Sequence, residues 1–302
     1  MAEIATLYGG SGFVGSYIAR SLSARGWTVR VAVRDERKAR KINLGDTSEI
    51  VRCNILNDAE VAAAMEGAVA VVNCVGTFDA RGDNNFDAIQ NEGAGRIAKT
   101  AAEQGVARMV HLSAIGADAQ GESRYARSKA AGEAAVQGVM PEAVILRPSV
   151  IFGPEDQFFN RFSAMSQISP AIPLFGAETK FQPVYVDDVA EAAEKAVLGE
   201  LAGGIYELGG PDVATFRELM ELMLDVVGRK RFVIGNPLWL GRLAGQAFDT
   251  LNAVTKGLAP SPITGDQALQ LSHDNVVNVD SKSFAEIGIT PKDMRSILPT
   301  YL

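Results

Sequence analysis

The residues of this chain best suited to chemistry are a tyrosine and a lysine four positions apart, in Tyr125-Ala126-Arg127-Ser128-Lys129. On a helix that spacing puts a phenol and an ammonium on one face, about one turn apart. A nearby cation favours phenolate, so the pair can act as acid or base in hydride-transfer chemistry. Taken alone, the same spacing describes many solvated helix faces, and its meaning depends on the surrounding elements. The two histidines, His111 and His273, each lack a second ligand-type residue nearby, so neither a zinc site nor a Ser-His-Asp triad is expected. His111 lies in the apolar run Met109-Val110-His111-Leu112, where a hydrogen-bonded core residue is the simpler reading. Cys53 and Cys74 fall near the ends of two predicted strands that other strands separate, and are expected as unpaired thiols.

The elements that must position the pair begin at the start of the chain. Ile4 to Tyr8 reads as an apolar strand, Gly9-Gly10-Ser11-Gly12-Phe13-Val14-Gly15 as a loop opening an amphipathic helix, and Thr28 to Val33 as a second strand closing on Arg34. This order is that of a dinucleotide site: Gly9 takes the tight turn, Gly12 lets the backbone approach a pyrophosphate, and Gly15 allows the helix to pack closely on the sheet. The helix N-terminus then faces the anion. An acidic residue ending the second strand would hold a ribose hydroxyl, whereas Arg34, followed by Arg37 and Lys38, suits an additional phosphate. NADPH is therefore the expected cofactor.

Further strands are expected at Glu49 to Cys53, Ala70 to Cys74, Arg108 to Leu112 and Val144 to Leu146, with helices at Ala88 to Gln104 and Tyr125 to Gly138 between them. Alternating strands and helices predict an α/β fold, a doubly wound parallel sheet, over residues 1–150. Beyond Pro148 the pattern loosens through Gly153-Pro154, Ser169-Pro170, Ile172-Pro173 and Gln182-Pro183, which predicts a smaller C-terminal α+β lobe over residues 151–302, with later segments free to return to the sheet. Capping-box spacings mark helix starts at Thr215 with Glu218, Thr264 with Gln267 and Ser283 with Glu286.

A chain of 302 residues can bury a substantial core. Its net charge of −7 and pI near 5.1 supply no general attraction to nucleic acid or an anionic membrane. No apolar run has the length of a spanning helix. Met1-Ala2-Glu3 enters an apolar strand without a charged leader or signal region, so a bacterial cytoplasmic product is expected.

With Tyr125 and Lys129 following the fifth strand of such a fold, the chain resembles the short-chain dehydrogenase/reductase superfamily in its extended or atypical branch, over nearly all of its length. Gly9 to Gly15 matches the glycine motif and Asn73-Cys74-Val75-Gly76 the loop after the fourth strand; Arg147 to Pro154 and Val184 to Ala190 match two further signatures. The resemblance implies a cofactor site built from Gly9, Ser11, Gly12, Phe13, Val14, Gly15, Arg34, Cys74, Val75, Gly76, Tyr125, Lys129, Pro148 and Val150. Relatives carry a second hydroxyl just after the fifth strand to polarise a substrate oxygen. Here Ser113 is followed by Ala114, Ile115 and Gly116, so Ser113 does this work or the position is vacant. Losing such a donor costs roughly a hundredfold in rate or more.

A narrower resemblance is to the NADPH-binding accessory subunits of respiratory complex I, carried by Asp156 to Phe162, Pro173 to Gly176, Thr179 to Asp188, Pro262 to Gln267 and Asp274 to Val277. It implies a nucleotide held structurally rather than turned over, partners in the peripheral arm of the complex, and a place on the cytoplasmic side of the inner membrane. The alternative is a free-standing NADPH-dependent reductase, epimerase or dehydratase, and retention of Tyr125 and Lys129 leaves turnover open. On a helical wheel over 238–254, Trp239, Leu240, Leu243, Ala244, Ala247, Phe248, Leu251 and Val254 share one arc. Arg242, Gln246, Asp249 and Asn252 share the other. Such a helix packs on its own lobe or serves as a docking surface.

Overall fold

In the computed structural model, residues 2–77, 85–243, 245 and 264–302 are described. The first half alternates as its apolar runs require: β1 (Ile4–Tyr8), α1 (Phe13–Ala24), β2 (Thr28–Val33), α2 (Glu36–Ala39), β3 (Ser48–Arg52), α3 (Asp58–Met65) and β4 (Ala70–Asn73). A π-helical turn, Asp87–Glu92, then runs into α4 (Gly93–Glu103), followed by β5 (Arg108–Leu112), α5 (Arg124–Val139) and β6 (Val144–Pro148). Next come β7 (Ile151–Phe152), α6 (Phe159–Ile168), β8 (Ala171–Phe175), β9 (Lys180–Phe181), β10 (Val184–Tyr185), α7 (Val186–Val197) and β11 (Gly204–Leu208). The chain continues through β12 (Ala214–Thr215), α8 (Phe216–Val226), β13 (Phe232–Asn236), α9 (described over 238–243), α10 (Gly265–Gln270), α11 (Phe284–Ile287) and α12 (Met294–Ile297).

Seven strands form one parallel sheet in the order β11-β6-β5-β4-β1-β2-β3. Because successive side chains of a strand point to opposite faces, Leu7 of β1 enters the core under α1 and α7, while its neighbour Tyr8 enters the core under α3, α4 and α5. Both faces being covered explains why these strands read as continuous apolar runs. Cys53 and Cys74 lie one residue beyond β3 and β4 and are free thiols, with β2 and β1 between the two strands.

A third core forms the smaller lobe, built around Phe152, Phe159, Phe216, Leu219, Met223 and Leu298. The division is not linear along the chain, since α7, β11 and α11 all lie beyond residue 150 yet pack into the first core. All three capping boxes form, at Thr215, Thr264 and Ser283. In α9, an added carbon at Gly241 would press on the Phe175 ring, so this side of the helix lies against the lobe; Trp239 and Leu243 of the apolar arc are exposed, at 60% and 57%. Ala244, Gln246, Ala247, Phe248, Asp249, Leu251, Asn252 and Val254 lie outside the described residues, as does most of the loop between 77 and 87.

Candidate dinucleotide site

The glycine loop shows three different reasons for glycine. Gly9 has φ +76°, and a Cβ there would also stand 3.0 Å from the Cys74 carbonyl carbon and the Val75 nitrogen, so backbone and space both demand it. At Gly15 a Cβ would come within 2.4 Å of the Gly9 oxygen, which means that α1 packs on the turn itself. Gly12 is different: its φ of −77° suits any residue, and a Cβ would meet only the Gly9 oxygen at 3.2 Å. The room at Gly12 therefore faces outward, to solvent. The first hydrogen bond of α1 runs from the Ser16 N–H to the Gly12 oxygen, and Gly12 supplies no side-chain cap. The N–H groups of Phe13, Val14 and Gly15 consequently project from the helix end, beside half-buried Ser11. The Phe13 ring is fixed edge-on to Tyr17, and Val14 packs against the sheet core.

Arg34 is exposed just past β2, with Arg37 and Lys38 exposed on the following turn. At the C-terminal end of β4, on the same edge of the parallel sheet, Val75 N–H donates to Asn73 Oδ1 at 3.0 Å, which leaves the Asn73 amide nitrogen to donate to His111 Nδ1 at 3.1 Å. His111 then carries its proton on Nε2, and burial holds its pKa down at about 3, so it is a neutral core residue. Burial pushes the Cys74 thiol up to about 12. A Cβ added at Gly76 would stand 3.7 Å from Lys129 Nζ, so this loop passes directly beside the lysine.

Lys129 is buried, donates to the Leu112 carbonyl at 3.1 Å, and lies 5.9 Å from the centre of the Tyr125 ring. Burial pulls its ammonium down to about 8, against the opposing pull of Glu133. Tyr125 packs edge-on against Phe86 at 6.0 Å, and burial raises its phenol above the ordinary value. α5 thus brings the two side chains together as its spacing predicts.

Ser113 does not reach towards this pair. Its hydroxyl donates to buried Glu133, which also accepts from Arg147 at 2.8 Å (Nε) and 2.6 Å (Nη2). Arg147 approaches Glu207 at 3.5 Å, and Glu207 accepts the Asn278 N–H at 2.8 Å. The Ser113 hydroxyl is therefore part of a buried ionic cluster between α5, β6 and β11. Glu133 escaped notice in the sequence, although it repeats the four-residue spacing of Tyr125 and Lys129 along the same helix. Pro148 accepts the Ile115 N–H at 3.0 Å, and Val150 accepts from Val184 at 2.9 Å, so both carry backbone contacts at the end of β6.

Two further residues come from far along the chain. Asp266, in α10, accepts the N–H groups of Arg124 at 2.6 Å and Tyr125 at 3.2 Å, while Ser123 accepts that of Ala126. The first turn of the helix bearing Tyr125 is thus capped by the C-terminal segment. Asn275 accepts from Val150 N–H at 3.1 Å and from Ser149 Oγ at 2.7 Å, and donates to the Ile115 carbonyl at 3.3 Å. The capping box at Thr264 announced α10, but nothing near Asp266 in sequence names the helix that it meets. Among the described residues no group of histidine, cysteine or acidic side chains could hold a metal, and no helix is long and apolar enough to cross a membrane.

A doubly wound sheet, a glycine loop at the first helix and a tyrosine–lysine helix after the fifth strand define a Rossmann-type α/β fold of the extended dehydrogenase class. Residues 5–209 match the NAD dependent epimerase/dehydratase family, and the chain belongs to it. It is 32% identical over 302 residues, 97% of this chain and 75% of the relative, to the mitochondrial NADH dehydrogenase (ubiquinone) 1 alpha subcomplex subunit 9 of Arabidopsis thaliana. It is 29% identical to the mitochondrial NADH-ubiquinone oxidoreductase 40 kDa subunit of Neurospora crassa, over 99% of this chain and 78% of that one. In fold it is similar to the Thermus thermophilus UDP-glucose 4-epimerase solved with NAD, at a TM-score of 0.72 and 21% identity, covering 99% of this chain and 97% of that chain.

Proposed function

We propose that this protein is an NADPH-holding accessory subunit of a respiratory NADH:ubiquinone oxidoreductase, complex I, in which the nucleotide is a structural component. The observation that carries the reading is a similarity to such subunits that extends past the family match at residue 209 through the C-terminal segment. In this protein that segment supplies Asp266 and Asn275 to the ends of α5 and β6. Commitment of Ser113 to Glu133 fits the same role, because it takes away a hydroxyl that would polarise a substrate oxygen. Bound NADPH would lie with its pyrophosphate at the Gly9–Gly15 loop, its additional phosphate near Arg34 and its nicotinamide towards Cys74, Val75, Gly76, Tyr125, Lys129, Pro148 and Val150. It would supply binding energy that only the folded state receives. The partners are peripheral-arm subunits, and the location is the cytoplasmic face of a bacterial inner membrane.

Capture of the tagged protein from detergent-solubilised membranes should bring down complex I subunits, identified by mass. Migration of the wild-type protein only as a free soluble species, with none of those subunits, would defeat the assignment. Tyr125→Phe separates this reading from a free-standing reductase, epimerase or dehydratase. It removes one hydroxyl distant from the anion contacts, so NADPH affinity and assembly should stay within about twofold of wild type, a change below 0.5 kcal/mol. If the same change abolishes robust turnover of a carbonyl or sugar-nucleotide substrate, the enzyme reading replaces ours.

A further inference from the structure

An acidic residue at the end of the second strand of a dinucleotide fold ordinarily receives the ribose hydroxyls and thereby selects NADH. Asp35 is the acidic residue that follows β2 most closely. Its carboxylate has another task. Oδ1 accepts the Arg37 N–H at 3.0 Å and the Lys38 N–H at 3.3 Å, making Asp35 the N-cap of α2. The Asp35 carbonyl also receives the Ala39 N–H at 3.3 Å, so the turn closes from both side chain and backbone. Ala39 is fully buried in the core beneath α1, which fixes one side of the turn to the protein and leaves Arg37 and Lys38 exposed on the other. A four-residue helix with a single buried residue has little to hold it apart from this cap.

We infer that Asp35 is a positioning residue for nucleotide selectivity: by capping α2 it holds Arg37 and Lys38 beside Arg34, forming a cationic shelf for the 2′-phosphate of NADPH. This rests on the NADPH reading above. Asp35 itself contacts no part of the nucleotide. Its negative charge stabilises the first turn of α2.

The test compares Asp35→Asn with Asp35→Ala, by titrating the purified protein with NADPH and, separately, with NADH. The two variants remove the same charge, but asparagine still caps a helix and alanine does not. Asp35→Ala should bind NADPH about threefold to tenfold more weakly than Asp35→Asn, the scale of a lost cap, while the two bind NADH equally. Thermal melting of both variants controls for folding, and their difference for NADPH over NADH is a ratio that a general loss of stability does not move. If both variants bind NADPH equally, or if both lose NADH affinity together as they would on losing a ribose ligand, the inference is overturned. Equal affinity of the wild-type protein for NADPH and NADH would instead defeat the NADPH assignment, so the two failures are distinguishable.

Discussion

Replacing Glu133 with alanine is expected to destabilise the protein by about 3 kcal/mol or more, the low end of the range for breaking a buried ion pair by removing one partner. Glu133 is 3% exposed and receives two hydrogen bonds from Arg147 and one from Ser113. Without it, the guanidinium of Arg147 keeps only the longer contact to Glu207 at 3.5 Å, and the Ser113 hydroxyl loses its acceptor. The Arg147 side chain is 21% exposed, so water offsets part of the loss, which is why the low end is expected. Glu133→Gln retains an acceptor and should cost less. Urea unfolding reads both: the midpoint should fall with the slope unchanged, as for a loss of stability without a change in the surface exposed. A Glu133→Ala protein that unfolds within about 1 kcal/mol of wild type would show that the cluster between α5, β6 and β11 does not hold the sheet together.

Gly12→Val should abolish nucleotide binding while leaving the unliganded fold intact. The backbone at Gly12 is in an ordinary extended conformation, and a Cβ there meets one atom, the Gly9 oxygen, at 3.2 Å. A branched side chain would nevertheless stand across the N–H groups of Phe13, Val14 and Gly15, where a pyrophosphate must approach. NADPH affinity should fall by at least about a hundredfold, which corresponds to about 2.7 kcal/mol. The rise in melting temperature expected of the wild-type protein on adding NADPH should disappear with it. Depletion of the variant from complex I would follow if the held nucleotide supports docking. Gly15→Val is the contrasting change, because its Cβ would lie 2.4 Å from the Gly9 oxygen and force α1 off its loop. That variant should fail to fold. Wild-type NADPH affinity in Gly12→Val would place the nucleotide elsewhere.

From the amino-acid sequence alone, the run from Ile4 to Arg34, the placement of Tyr125 and Lys129 on one helix, and the three capping boxes were all legible. Each depends on residues a few positions apart, where helical or strand periodicity and the demands of a tight turn determine geometry locally. The family was legible as well, because the motifs that carry it are local. Even here the glycines differed from expectation in detail, since Gly15 packs against the turn of Gly9 and Gly10, a closeness that depends on the path of the loop.

The task of Ser113 could not be read in this way. Whether a hydroxyl after β5 faces a substrate or an ionic cluster depends on Glu133 and Arg147, which reach it from a neighbouring helix and strand. Asp266 meets the first turn of α5 from 142 positions away, and Asn275 meets Val150 from 125 positions away. The seventh strand, β11, joins the first sheet from beyond the predicted boundary at residue 150. Side-chain type and spacing determine which local elements form and what chemistry they could offer. Only the packed chain decides which carboxylate caps which helix and which hydroxyl is already engaged, because those partners are selected by burial and hydrogen-bond satisfaction across segments that sequence order keeps far apart.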